Sequence, residues 1–299
     1  MKQDIYQKVT DKIIADLEKG QLTWLKPWST GNRDGRIVKP LRHNGMPYNG
    51  INVLMLWAAS VEAGYISSHW MTFKQAKELG ANVRKGERGS LVVYANSITK
   101  TEERDDGTEE EWKIPFMKGY SVFNVDQIEG LPEQFYAKPE PVIDGVEQID
   151  HVDAFFASTG ADVRHGGNRA FYSGGSDHVQ MPAFESFRSP EAYYATLAHE
   201  LTHWTKHKTR LDREFGRKKW GDEGYAKEEL VAELGAAFLC ADLALTPEAG
   251  EDHAAYIQSW LKVLKNDKRA IFAAAAHAQR AADFLHGLQA VEEGEGVAA

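Results

Sequence analysis

The sequence predicts an α+β protein of two domains: an N-terminal α+β domain, then a mostly helical domain with a small sheet. Three observations predict it. The chain has 299 residues, about twice the length one hydrophobic core usually organises. The stretch EQFYAKPEPVIDG at 133–145 has two prolines and no period, as a linker or extended crossover would. Helix and strand patterns mix before it, and helical periods dominate after it. The expected partition is therefore 1–132, a linker at 133–145, and 146–299.

Each element has its own signal. Ile5, Val9, Ile13 and Leu17 recur at four-residue steps before Gly20, the pattern of an amphipathic helix with a stop. Pro27, Pro40 and Pro47, among glycines and asparagines, make the next segment a long ordered loop. Helices are expected from about Ile51 to Ala63 and from the cap Thr72 to Leu79, ending at Gly80. LVVYANSITKT and KGYSVFNVDQI read as strands, and the acidic run EERDDGTEEEW between them as a solvated hairpin loop. Beyond the linker, VEQIDHVDAFFAST is a short helix and ADVRHGGNRAFYSGGSDHVQMP a small sheet broken by Gly pairs. Ser189-Pro190-Glu191 starts a helix running to about Lys208. Helices near 225–245, 252–266 and 268–287 follow, and no repeat of 20 to 50 residues is present.

Composition bounds the class. Hydrophobic residues make up 42% and charged residues 26%, an ordinary globular balance that excludes collagenous, low-complexity and wholly disordered chains. Cys240 is the single cysteine, so neither an internal disulfide nor a cysteine-rich metal site can form. The charged first twenty residues lack an apolar core segment and no run reaches membrane-span length, so a cytoplasmic protein without a membrane partner is expected. Residues 1–100 carry 15 Lys and Arg against 8 Asp and Glu, while 101–299 carry 20 against 36. A basic half joined to an acidic one suggests that the first meets a polyanion.

The helix after Pro190 contains His199-Glu200-Leu201-Thr202-His203. Positions four apart lie one above the other on a helix, so both imidazoles can point at one cation while Glu200 stands beside it. Two imidazoles and a carboxylate leave a coordination position for water, and a nearby carboxylate can take its proton during attack on a peptide carbonyl. Zn2+, or another divalent transition metal, is the expected cofactor and Glu200 the catalytic base. His207 lies about 12 Å along the axis from His199, too far to share that ion. Lys206 and Thr209 stand where the metzincin extension needs Gly and His. The third ligand must come from elsewhere. Glu229 and Glu233 share a face of a helix whose Ala232, Gly235 and Ala236 permit close approach to a neighbour. One can bind metal while the other orients a histidine, and Glu229 is favoured as the ligand. Tyr225, one turn earlier, is a candidate for oxyanion stabilisation with packing as the alternative; Tyr172 and His178 are weaker candidates.

The first half interleaves aromatic and basic residues, the mixture that single-stranded nucleic acid uses for base stacking and phosphate contacts. Trp24, Trp28, Tyr48 and Trp70 are the expected stacking rings, and Lys74, Arg84, Lys85 and Arg88 the phosphate contacts. Trp57, on an apolar helix, is expected in the core.

Taken together, PYNGIN at 47–52, WMTF at 70–73, VRKGE at 83–87, YSVFN at 120–124, HELTHWT at 199–205 with Arg210-Leu211, and Tyr225 through Glu233 resemble the ArdC-type antirestriction proteins of conjugative plasmids. The likeness spans both domains. It implies an N-terminal single-stranded-DNA-binding domain and a C-terminal metallopeptidase-like domain of the gluzincin kind, similar to SprT-like proteases. It also implies protection of incoming plasmid DNA from host restriction. By the family pattern His199, His203 and Glu229 match the metal ligands and Glu200 the catalytic carboxylate. The expected partners are single-stranded DNA and a protein substrate, a host restriction component being one candidate. The alternative is a non-catalytic DNA-binding protector or decoy whose metal site is structural or vestigial.

Overall fold

The computed structural model describes residues 4–22, 24, 38–103, 109–136, 145–216, 221–245 and 253–289. Helix α1 (Ile5–Glu18) starts at Asp4, whose side chain accepts from the Tyr6 amide, and buries Val9, Thr10, Ile13 and Leu17. The four-residue apolar step therefore does form one buried stripe. What it packs on was not anticipated.

The chain divides into two compact units, residues 40–137 and residues 1–39 together with 138–299. In this division α1 groups with the C-terminal helices, and the 40–137 unit runs past the expected cut at 132, with Phe135 of the expected linker in its core. The Thr10 hydroxyl donates to the Lys268 carbonyl at 2.7 Å, Tyr6 meets Phe272 edge-on at 4.7 Å, and Lys265 pairs with Glu18 at 2.6 Å. The charge asymmetry is corrected with it. Residues 40–137 alone hold 10 Lys and Arg against 13 Asp and Glu, so the basic excess of the first hundred residues is not the charge of one unit.

The 40–137 unit opens with β1 (Leu41–Arg42), α2 (Ile51–Ala63), β2 (His69–Met71), α3 (Phe73–Glu78) and β3 (Asn82–Val83). It continues with β4 (Ser90–Glu103), β5 (Glu109–Asn124) and β6 (Ile128–Glu129). One sheet runs β1-β2-β5-β4, and β3 pairs with β6. Gly64 ends α2 in the left-handed region at φ 71°, where a side chain would be strained. Thr72 and Gln75 form a reciprocal capping box on α3. Met71, Ala76, Ala81, Val125, Ile128, Leu131 and Phe135 form a core cluster. The β4–β5 ribbon is longer than the sequence patterns indicated: Glu102, Glu103 and 109–117, assigned to the loop or left unassigned, are strand. The cross-strand register runs out to Glu103 opposite Glu109, because backbone pairing does not depend on an apolar pattern in the sequence.

The other unit continues with α4 (Gly145–Ala157), β7 (Asp162–His165), β8 (Phe171–Ser173), β9 (His178–Met181) and α5 (Pro190–Trp204). Helices α6 (Glu223–Asp242), α7 (His253–Asn266) and α8 (Ala270–Gly287) complete it. The small sheet has the order β7-β9-β8. β9 pairs parallel with β7 and antiparallel with β8. Ser189 caps α5, with Pro190 in its first turn. No helix among the described residues is long and apolar enough to cross a membrane.

Candidate metal centre

Helices α5 and α6 build the site by lying against each other. A Cβ added at Gly235 of α6 would stand 2.5 Å from Thr202 Cγ2 and 2.6 Å from its Oγ1, closer than atoms approach. Glycine is therefore required at this crossing, and the small residues of α6 do permit the approach that the sequence indicated. Thr202 is fully buried and its hydroxyl turns back to the Ala198 carbonyl at 2.8 Å.

This crossing brings His199, His203 and Glu229 together, with ligand atoms all within 4.8 Å of one another. His199 Nε2 stands 3.6 Å from Glu229 Oε2, and His203 Nε2 is 3.5 Å from Glu229 Oε1. The two rings lie 4.9 Å apart at 78°. Glu233, the other carboxylate of that face, faces the far nitrogen of His199, Nδ1, at 3.7 Å. Glu229 is thus placed with the converging nitrogens and Glu233 behind, where it can fix the ring orientation. Two neutral imidazole nitrogens and one carboxylate suit a divalent transition ion. Burial raises the Glu229 pKa, but hydrogen bonds from His199 and His203 prevail and hold the carboxyl ionised, well below its usual range.

Glu200, on α5 between the two histidines, is buried. Among the described residues no hydrogen bond or ion pair engages its carboxylate, unlike those of Glu228, Glu229 and Glu233. The Tyr225 hydroxyl contacts that of Tyr256 at 2.9 Å and also interacts with Glu229. Burial, then that hydrogen bond and the Glu229 charge, push its pKa far above the usual value, so the phenol remains an O–H donor. Tyr256 stacks on Trp260 at 6.0 Å, which tilts against Trp24 at 6.3 Å.

Sequence reasoning missed two residues that organise this centre. Glu228 accepts at 2.9 Å from His203 Nδ1, the nitrogen turned away from Glu229. Arg213 grips Glu228 through Nε and Nη2, both at 2.9 Å, and donates to the Thr202 carbonyl and Thr205 hydroxyl near the end of α5. Burial pulls the His203 pKa down, but the bonds to Glu228 and Glu229 outweigh it and raise it to about 9. Three glutamates on a helix of small residues were a usable signal for Glu228; nothing in the pattern marked Arg213. Tyr172 and His178 are engaged elsewhere: the Tyr172 hydroxyl donates to Asp177 at 2.8 Å and His178 Nδ1 pairs with Ser176 at 2.8 Å.

The expected stacking rings require correction. Trp24, Tyr48 and Trp70 are each at most 3% exposed, so no ring face is offered to a base. Trp24 belongs to the aromatic stack behind the metal centre, Arg42 lies over Tyr48 at 5.3 Å, and Tyr65 covers Trp70 edge-on at 5.6 Å. Trp28 lies outside the described residues. Lys74, Arg84, Lys85 and Arg88 are exposed. Arg84 is nonetheless tied to Glu87 at 3.0 Å and to the Asp126 carbonyl. Trp57 is core, as expected.

Residues 3–123 match the family described as the N-terminal domain of anti-restriction factor ArdC. Residues 150–277 match the zincin-like metallopeptidase family. The metal-free crystal structure of the antirestriction ArdC protein of plasmid R388 is 51% identical, with a TM-score of 0.80, over 96% of this chain and 98% of that one. The chain belongs to the ArdC antirestriction family. A Mn(II)-bound structure of the same R388 protein gives a TM-score of 0.79 at 49% identity, over 97% of this chain and all of the other. Protein y4eC of Sinorhizobium fredii is 44% identical over 96% of this chain and 92% of its own length. The DNA primase TraC of Escherichia coli is 37% identical over 95% of this chain, which spans only 27% of that longer protein.

Proposed function

We propose that this antirestriction-family protein acts in the cytoplasm, binding single-stranded DNA and hydrolysing peptide bonds at a zinc centre, to protect incoming plasmid DNA from host restriction during conjugation. The observation that carries the enzymatic half is the convergence of His199, His203 and Glu229 beside the unengaged carboxylate of Glu200. When bound, a divalent ion supplies a Lewis acid and lowers the pKa of water. The chain supplies the rest. Glu200 accepts the proton of the attacking water and passes it to the leaving amine. Tyr225, kept protonated, donates a hydrogen bond to the developing oxyanion. Glu228 and Glu233 hold the histidine rings in place. The Mn(II) structure of the R388 protein supports a divalent ion here, and zinc fits the donor set equally well. A component of the host restriction machinery is the substrate class that joins peptidase activity to antirestriction.

Elemental analysis of the purified chain should find about one transition-metal ion per molecule, and Glu200→Gln should keep the ion while abolishing proteolysis. A purified chain without stoichiometric metal ends the peptidase proposal. An antirestriction assay of Glu200→Ala decides the second reading: protection equal to wild type means a stoichiometric DNA-binding protector with a structural metal.

A further inference from the structure

The β4–β5 ribbon carries an exposed face that the proposed chemistry leaves unused. Cross-strand partners in the register are Val92 with Tyr120, Tyr94 with Lys118, Asn96 with Phe116, Ile98 with Ile114, and Lys100 with Trp112. Side chains alternate sides along a strand, and directly paired residues share a side. Tyr94, Phe116, Trp112 and Tyr120 therefore all stand on one face, with Ile98, Ile114, Lys100 and Lys118 among them. Tyr94, Ile98, Trp112 and Ile114 have between 49% and 59% of their surface open to solvent. Soluble proteins rarely leave such a run of large apolar side chains uncovered without a partner for it.

We infer that this face is the stacking platform for single-stranded DNA, taking the role that burial denies to Trp24, Tyr48 and Trp70. The inference rests on the DNA-binding reading proposed above. The lysines select this occupant over a protein partner. Lys118 lies between Phe116 and Tyr120 on β5, with its ammonium 5.3 Å from the Phe116 ring centre, and Lys100 stands opposite Trp112. Lysine is depleted from the buried core of protein interfaces, where its charge would be desolvated. On a nucleic acid the same ammonium meets a phosphate while the adjacent ring takes a base. Same-face residues along a strand recur about every 6.8 Å, so β5 presents Trp112, Ile114, Phe116, Lys118 and Tyr120 as one track, with a cation between its last two rings. A duplex hides its base faces, so the platform takes unpaired strands.

The test measures anisotropy of a labelled oligothymidylate with full-length protein. Tyr94→Ala combined with Trp112→Ala should weaken binding at least about tenfold, since loss of one stacked ring costs about 5- to 150-fold. Lys118→Glu should weaken it and flatten the salt dependence, Trp112→Phe should keep most of the affinity, and melting temperatures should match wild type. Wild-type binding with an unaffected double variant overturns the platform and leaves the DNA reading standing. Failure of the wild type to bind any single strand overturns both. Sedimentation of DNA-free protein covers the remaining occupant: if the double variant dissociates a wild-type dimer, the face joins copies of this chain and the platform is refuted.

Discussion

At His203 two carboxylates divide the work. Glu229 faces Nε2, the nitrogen that would meet a metal, and Glu228 fixes Nδ1 opposite it, so the ring cannot flip without losing its bond to Glu228. Arg213 makes Glu228 tolerable in a buried place by neutralising it through two bonds. Removing one partner of such a pair leaves a buried charge uncompensated, at about 3–5 kcal/mol. Glu228→Ala should therefore lower the melting temperature and weaken metal binding about 10- to 100-fold, read by competition with a chromophoric chelator. The pH dependence has a definite sign. Burial raises the Glu228 pKa, but the bonds from His203 and Arg213 bring it from 4.5 down to about 2. A carboxyl depressed on folding contributes its full stability above 4.5 and loses it as pH falls toward 2. Acid melts of wild type should show this loss, and Glu228→Gln should remove that share of it.

At the scale of elements, the site is as good as the α5–α6 crossing. Both histidines come from one helix and Glu229 from the other, so any separation of the two opens the ligand set. Gly235→Ala places a methyl against Thr202, and overpacking of this kind costs about 1–3 kcal/mol. Its larger effect should be on the ligands: weaker metal binding, with partial recovery in Gly235→Ala combined with Thr202→Ala, since the cut-back side chain relieves the closest contacts. A calorimetric metal titration of the three proteins checks this.

For the whole molecule, the membership of α1 decides how the chain can be divided. Val9, Ile13 and Leu17 are buried in the unit that also contains the metal centre. At roughly 1.5–3 kcal/mol for each buried aliphatic side chain, deleting residues 1–22 should cost the C-terminal unit several kcal/mol, visible as an earlier melting transition. A fragment spanning 40–137 should melt cooperatively. A 1–132 fragment should aggregate instead, because it carries the apolar stripe of α1 without the helices that cover it.

The sequence by itself determined which two imidazoles stand together and most helix boundaries, because these depend on spacings within one turn or on caps a few residues away. Ile51–Ala63 was bounded by a Pro/Gly-rich entry and a left-handed Gly64. His199 and His203, one turn apart, come together through helix geometry alone. Even the third ligand was half-legible, since two glutamates among small residues advertise a buried polar face, while the choice between them came from which nitrogens each one meets. Only the tertiary structure decided the rest. Trp24 and Tyr48 sit in a segment whose composition suits exposure, yet what covers a ring is supplied by residues far along the chain, here Trp260 for Trp24. The same holds for Arg213 with Glu228 and for α1 with the C-terminal helices. Burial is a property of the partners that arrive from a distance, and no local period records them.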